Sequence, residues 1–141
     1  DNSDTMHLQI CEEIMAANKE RYKNVTVDVP DGFHQVMTIK SIPCGWTHGH
    51  MTGYSGSNPE NKIENWWKGQ MYGFLPMSDV QILITGHYHH FRAKQQGDRT
   101  WFQSPSLDKS IDFTARSGLW SHPGVLTFTV NKKGWDNLKI L

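Results

Sequence analysis

The sequence has 141 residues, a length that suits one compact domain or domain fragment over 1–141, and its 14 basic residues balance 14 acidic ones. No global field therefore advertises a polyanionic partner, and any nucleic-acid contact must be local. Cys11 and Cys44 are the only cysteines; far apart and in unlike settings, they argue against a disulfide scaffold and a thiolate zinc cluster and make a reducing, cytoplasmic setting the expectation. The longest apolar runs are far shorter than a membrane span, and the charged N-terminus does not read as a signal peptide. A soluble protein with no membrane partner is expected.

In chain order, Ser3, Asp4 and Thr5 are N-cap candidates, and Leu8, Ile10, Cys11, Ile14, Met15 and Ala17 follow near helical spacing. This predicts an amphipathic helix ending near Lys23. Val25 to Val29 and His34 to Ile42 are β-prone runs on either side of Pro30-Asp31-Gly32, which predicts a strand pair across that turn. Gly, Ser, Asn and Pro crowd the stretch from Gly49 to Pro59, the composition of a surface loop. Glu60 to Phe74 reads as a second helix, with one of Trp66 and Trp67 packed inward, and Asp79 to Gly86 as a buried strand because its apolar run is short and β-branched. Near the end, Gly124 to Val130 and Trp135 to Leu141 flank Asn131-Lys132-Lys133-Gly134, a β-hairpin pattern. No repeat, low-complexity segment or domain boundary is visible.

The chemistry-bearing residues gather where apolar strands end. Gly86-His87-Tyr88-His89-His90 follows Ile82-Leu83-Ile84-Thr85, and His48-Gly49-His50 follows a run ending in Trp46-Thr47. In an extended segment residues i and i+2 point the same way, so each pair could address one site. Neighbouring strands would bring the two pairs together at their carboxyl ends, as in open α/β sheets. Imidazole is a common ligand of zinc, manganese and iron and binds as the neutral base. A histidine at a strand end is otherwise a surface or turn residue, the reading given to His7, His34 and His122; His90 is either structural or a contact to a substrate phosphate. A further alternative joins Cys44 to His48, His50 and a later histidine in a structural zinc site, against the commoner reading of Cys44 as a buried free thiol.

Thr47-His48-Gly49-His50 followed by Ile84-Thr85-Gly86-His87-Tyr88-His89-His90 resembles the C-terminal half of the calcineurin-like metallophosphoesterases, whose last two signature blocks are a strand-end histidine and a Gly-His-x-His. The resemblance implies an α/β (α+β) fold, the C-terminal half of a four-layer αββα sandwich. It implies two divalent ions (manganese, zinc or iron) in the complete protein, with His48 and His87 sharing one ion, His89 taking the second, and His50 a further candidate. Gln103-Ser104-Pro105-Ser106 lies where relatives place a substrate loop. DNA-repair exonucleases of the family share the long insert between the two histidine blocks.

The family's earlier blocks, Asp-x-His, Gly-Asp-x-x-Asp and Gly-Asn-His, do not occur in this sequence. Gly97-Asp98, for example, is followed by Arg-Thr-Trp. The expectation is that the chain is the back half of a longer protein, with Asp1 close to the Asn-His motif, and that a missing N-terminal half supplies the bridging carboxylate and the general acid, in cis or as a separate chain. Two dications about 3.5 to 4 Å apart need anionic ligands, so the isolated chain is expected to hold one ion weakly and to catalyse little. Arg92, His90 and Tyr88 are candidate substrate contacts. Lys94 is placed to hold a phosphate, and Tyr88, Phe91, Trp101 and Phe102 offer aromatic faces on which a base could stack, which favours a nucleotide or nucleic-acid phosphodiester. The rival class is a non-catalytic metal-binding or scaffold module.

Overall fold

The computed structural model describes residues 2–28, 32–50, 52, 58–109, 111–118 and 120–141. The chain divides into two compact units, residues 1–31 and residues 32–141. The first contains helix α1 (Asn2–Ala17). It stops before the expected Lys23 because Asn18 turns back on it. The Asn18 backbone amide and side-chain Nδ2 both donate to the Ile14 carbonyl, at 3.1 and 2.8 Å, the local competition that makes asparagine a poor helix continuer. Ile10 and Ile14 on this helix are exposed.

The second unit is built on a five-stranded mixed sheet of β1 (His34–Ile39), β2 (Ile42–Thr47), β3 (Ile82–Thr85), β4 (Arg92–Gln96) and β5 (Arg99–Gln103), in the order β1-β2-β3-β5-β4. Strands β2, β3 and β5 run parallel, while β1 and β4 are antiparallel edges. Helix α2 (Pro59–Tyr72) connects β2 to β3. It begins with the Asn58 side chain accepting from the Glu60 amide at 2.9 Å and with proline in its first turn, both favourable helix starts. A short helix α3 (Ile111–Ser117) precedes the hairpin of β6 (Leu126–Asn131) and β7 (Gly134–Ile140). Among the described residues, no helix is long and apolar enough to cross a membrane.

Alternation along the central strands splits the core in two. Leu83 and Trp101 face α2 and pack with Ile63, Trp67, Met77 and Val80. Ile82, Cys44 and Phe102 face the other way, against Leu126, Phe128, Val130, Trp135 and Leu138 of the β6–β7 sheet. The layers are thus helix, sheet, sheet, and the α/β expectation is borne out. Each fully buried Leu, Ile or Phe contributes about 1.5–3 kcal/mol relative to exposure. Indole donors fasten these elements: Trp67 Nε1 to the Met77 carbonyl at 3.2 Å, Trp101 Nε1 to Thr85 Oγ1 within the sheet at 2.9 Å, and Trp135 Nε1 to Thr100 Oγ1 between the two sheets at 2.8 Å.

Three expectations are corrected. Val25–Asp28 forms no strand, and β1 pairs instead with the residues that follow it, Ile39 opposite Ile42. The turn between them is Lys40-Ser41, with φ of 51° and 75°. Two left-handed residues twist a two-residue hairpin in the favoured sense, but the usual Asn-Gly signal is missing, so the long β-prone run concealed its own turn. Val29 of the first run, and Pro30 and Asp31 of the proposed turn, lie outside the described residues. The β4–β5 hairpin was not anticipated; its signal was Gly97-Asp98, where Gly97 has φ 58°. Finally, Trp101 and Phe102 are 2% and 0% exposed, so they are core and offer no face to a base. Trp67 packs inward and Trp66 is half-buried, as expected.

The α2 side of β2 requires glycine at position 45. A Cβ there would lie 2.6 Å from Met77 Cε and 2.8 Å from Val80 Cγ2. Gly45→Ala is expected to destabilise the protein by about 1–3 kcal/mol, as overpacking typically does. Urea denaturation followed by tryptophan fluorescence measures it; an unchanged midpoint would contradict this packing.

Candidate metal centre

Parallel pairing places Thr47 opposite Thr85 and Thr85 opposite Gln103, so the segments after β2, β3 and β5 leave the sheet at one edge. The pairing continues one step beyond the strands: the Gly86 amide donates to the His48 carbonyl at 3.1 Å, and the Ser104 amide to the Thr85 carbonyl at 2.7 Å. His48, His50 and His87 come together there. Their ring centroids are 5.1 Å apart for His48–His50 and for His48–His87, and 6.1 Å for His50–His87. His48 Nε2 and His87 Nδ1 approach to 3.3 Å. Ser104-Pro105-Ser106 leaves β5 at the same edge.

The backbone reaches this arrangement through left-handed residues, not through the extended geometry on which the i, i+2 argument relied. Gly49 has φ 102° and is buried; a Cβ there would lie 3.5 Å from Ile63 Cδ1 and 3.7 Å from His87 Cβ. His87 and His89 have φ of 65° and 59°. The Tyr88 amide donates to the Gly86 carbonyl at 2.8 Å, which makes His87 the centre of a γ-turn with positive φ, a rare and strained form. Such conformations persist where the surroundings over-determine them and concentrate at functional sites.

His89 is half-buried, and its charge is felt by both His87 and His90. His90 turns into the loop: its Nδ1 lies 2.6 Å from the Tyr88 carbonyl and its Nε2 accepts from Arg92 Nε at 2.9 Å. Arg92 in turn pairs with Glu60 of α2 at 3.5 Å, and Lys94 with Glu60 at 2.9 Å and with Glu64. The substrate candidates Arg92 and Lys94 thus already face carboxylates. Glu60 is held below the ordinary carboxyl range, first by the hydrogen bond from Lys94. The Tyr88 ring packs edge-on against His87, with centroids 4.9 Å apart, and Phe91 is partly exposed.

His87 keeps an open outer side, yet partial burial, and then the charges of His48, His50, His89 and Lys62, push its pKa below the ordinary imidazole range. A neutral imidazole is the form that binds metal. Two nitrogen ligands at about 2.0–2.1 Å from one tetrahedral ion stand roughly 3.3 Å apart, the separation seen between His48 and His87. Among the described residues, however, no three His, Cys, Asp or Glu side chains already converge as a metal cage. The donor set suits one ion held by imidazole nitrogens. Among the described residues it lacks the carboxylate that two adjacent dications require.

Sequence reasoning missed how three residues shape this edge. Thr52, 3% exposed, closes the His48–His50 turn by donating from Oγ1 to the Gly49 carbonyl at 2.6 Å. Phe33 sets its ring edge-on to His50 at 6.1 Å, and Gln103 Nε2 donates to the His90 carbonyl at 2.7 Å. Only a knowledge of strand order would have brought Phe33 and Gln103 to the histidines.

The sequence matches no protein-family model and no curated protein. Solved structures do match. Zinc-bound Vps29 from Entamoeba histolytica aligns with a TM-score of 0.50 at 19% identity, over 83% of this chain and 64% of that one. Vps29 from Chaetomium thermophilum aligns with a TM-score of 0.54 at 16% identity and the same coverages, 83% and 64%. The fold is shared with Vps29. A conserved Streptococcus pneumoniae protein described as a predicted phosphoesterase is more distant, with a TM-score of 0.45 at 17% identity over 74% and 51% of the two chains. The chain spans about 64% of the length of the two Vps29 structures. The likeness to Vps29 shows the fold alone and says nothing of hydrolysis.

Cys44 does not join the histidines. It is 0% exposed among Ile42, Ile82 and Phe102 on the face turned towards β6–β7, and burial pushes its thiol pKa up. Native protein treated with iodoacetamide, with or without zinc, is expected to be alkylated at the exposed Cys11 and protected at Cys44 in both conditions. Protection of Cys44 that depends on zinc would restore the thiolate site.

Proposed function

We propose that residues 32–141 are the histidine-bearing half of a metal-dependent phosphoester hydrolase acting on a phosphodiester of nucleotide or nucleic-acid type. His48, His87 and His50 take one divalent ion, and His89 serves a second. The carboxylates and the general acid come from a segment outside these 141 residues, in cis or on a separate chain, in a cytoplasmic protein. The observation that carries this reading is the 3.3 Å approach of His48 Nε2 to His87 Nδ1, at the edge where three parallel strands end.

A bound divalent ion would supply charge to activate water and to stabilise phosphoryl oxygens. The chain's own part is to present imidazoles at a fixed spacing and an open edge beside them. Phe91, partly exposed, and Tyr88, beside His87, are the aromatic groups left for a base. Arg92 meets a phosphate only by giving up Glu60, and Lys94 only by giving up Glu60 and Glu64.

A second reading, a non-catalytic metal-binding module, draws on the all-imidazole character of the described donor set. The two separate cleanly. Calorimetric titration of the 141-residue chain with zinc or manganese is expected to show weak binding of one ion, lowered by tenfold or more in His48→Ala and in His87→Ala, since even changes outside the ligands cost about 10–100-fold. Hydrolysis of bis-p-nitrophenyl phosphate by the full-length protein with manganese should be lost in His89→Ala. Turnover retained in that variant would sink the hydrolase assignment; metal binding without any turnover in the full-length protein would establish the second reading.

A further inference from the structure

His90 and Arg92 are both engaged with protein atoms. A guanidinium only donates, so Arg92 Nε at 2.9 Å obliges His90 Nε2 to accept, and the His90 proton must then sit on Nδ1 and point at the Tyr88 carbonyl 2.6 Å away. That carbonyl belongs to the one residue between His87 and His89, the two left-handed positions of the loop. On the far side, the His90 carbonyl accepts from Gln103 Nε2 at 2.7 Å. Gln103 is 0% exposed, and its own Oε1 is buried with no hydrogen-bond partner among the described residues. An unpaired buried acceptor costs about 1–3 kcal/mol, so glutamine is a poor choice for this position on packing grounds alone. The bond it gives to the loop is what distinguishes it from an apolar side chain. Arg92 is steadied in turn by Glu60, whose place in the first turn of α2 is set by the Asn58 cap.

We infer that Glu60, Arg92, His90 and Gln103 form a latch that holds the strained His87–Tyr88–His89 backbone in place, with His90 a positioning residue and not a substrate contact. The latch rests on the site reading above for its effect on metal and on nothing but the loop for its effect on the backbone. Each side of the strained pair is held: Gly86 to His48, Tyr88 to Gly86 through its amide and to His90 through its carbonyl, and His90 to β5. Released from the latch, His87 and His89 would relax towards negative φ, which non-glycine residues prefer, and the ring of His87 would leave His48.

The test uses cobalt(II) as a spectroscopic probe on the whole chain, together with amide hydrogen exchange of residues 86–91 in the metal-free protein. His90→Ala is expected to bind cobalt at least tenfold more weakly, to change the visible d–d absorption of the bound ion, and to speed exchange across the loop. His90→Asn places an amide donor where Nδ1 stands and should recover most of the affinity and protection; it also carries the test where His90→Ala does not fold. Glu60→Gln should show the same changes in smaller measure. Wild-type spectra, affinity and exchange in His90→Ala would overturn the latch. Should the wild-type chain take up no cobalt, the metal reading fails, and the exchange comparison by itself upholds or overturns the latch.

Discussion

The parallel register of β2, β3 and β5 is the constraint on which the site depends. Thr47, Thr85 and Gln103 stand side by side as the last residues of three strands, so whatever follows each strand is delivered to the same edge. Two histidine segments separated by a helix and a long connection meet for that reason. A shift of one residue in either pairing would turn every side chain of the strand to the opposite face. Leu83 and Trp101 could then no longer meet Trp67, nor Phe102 the β6–β7 sheet. Core packing therefore holds the histidines in register although none of them belongs to the core.

Much of this was legible in the sequence because it depends on short-range pattern. The apolar run before Gly86, the helical segment with Trp66 and Trp67, and the C-terminal hairpin each announce themselves over a few residues, and each forms close to where the pattern places it. The histidine clusters were legible for the same reason, since an imidazole pair after an apolar strand is a local signal. The pairing of β1 was not: its turn uses Lys40 and Ser41 in left-handed conformations that tertiary pairing imposes against local preference. Trp101 and Phe102 misled because an aromatic residue near a candidate site reads the same whether it faces a ligand or the core. Only the strand order, with β5 between β3 and β4, buries both.

The loop geometry also explains why histidines two apart need not share a direction. The alternation rule belongs to extended backbone, and a glycine beside a histidine is itself a warning that extension has ended. At Gly49 that warning is literal, with φ 102° and Ile63 against its open side. At His87 and His89 the side chains remain and the strain is borne by the loop. Electrostatics favours the same outcome at His87, where partial burial and the neighbouring charges hold the pKa below the ordinary imidazole range and keep that ring available as a neutral donor.

The small closed turn made by Thr52 separates two jobs. By returning its hydroxyl to the Gly49 carbonyl, it completes the His48–His50 geometry within five residues. The connection that follows ends at the Asn58 cap of α2. Closing a longer loop there adds only about 0.6 kcal/mol for each doubling of its length. Descendants of this sequence could lengthen that connection into a binding arm or an inserted domain, and so diversify their partners, without disturbing the histidines anchored on either side.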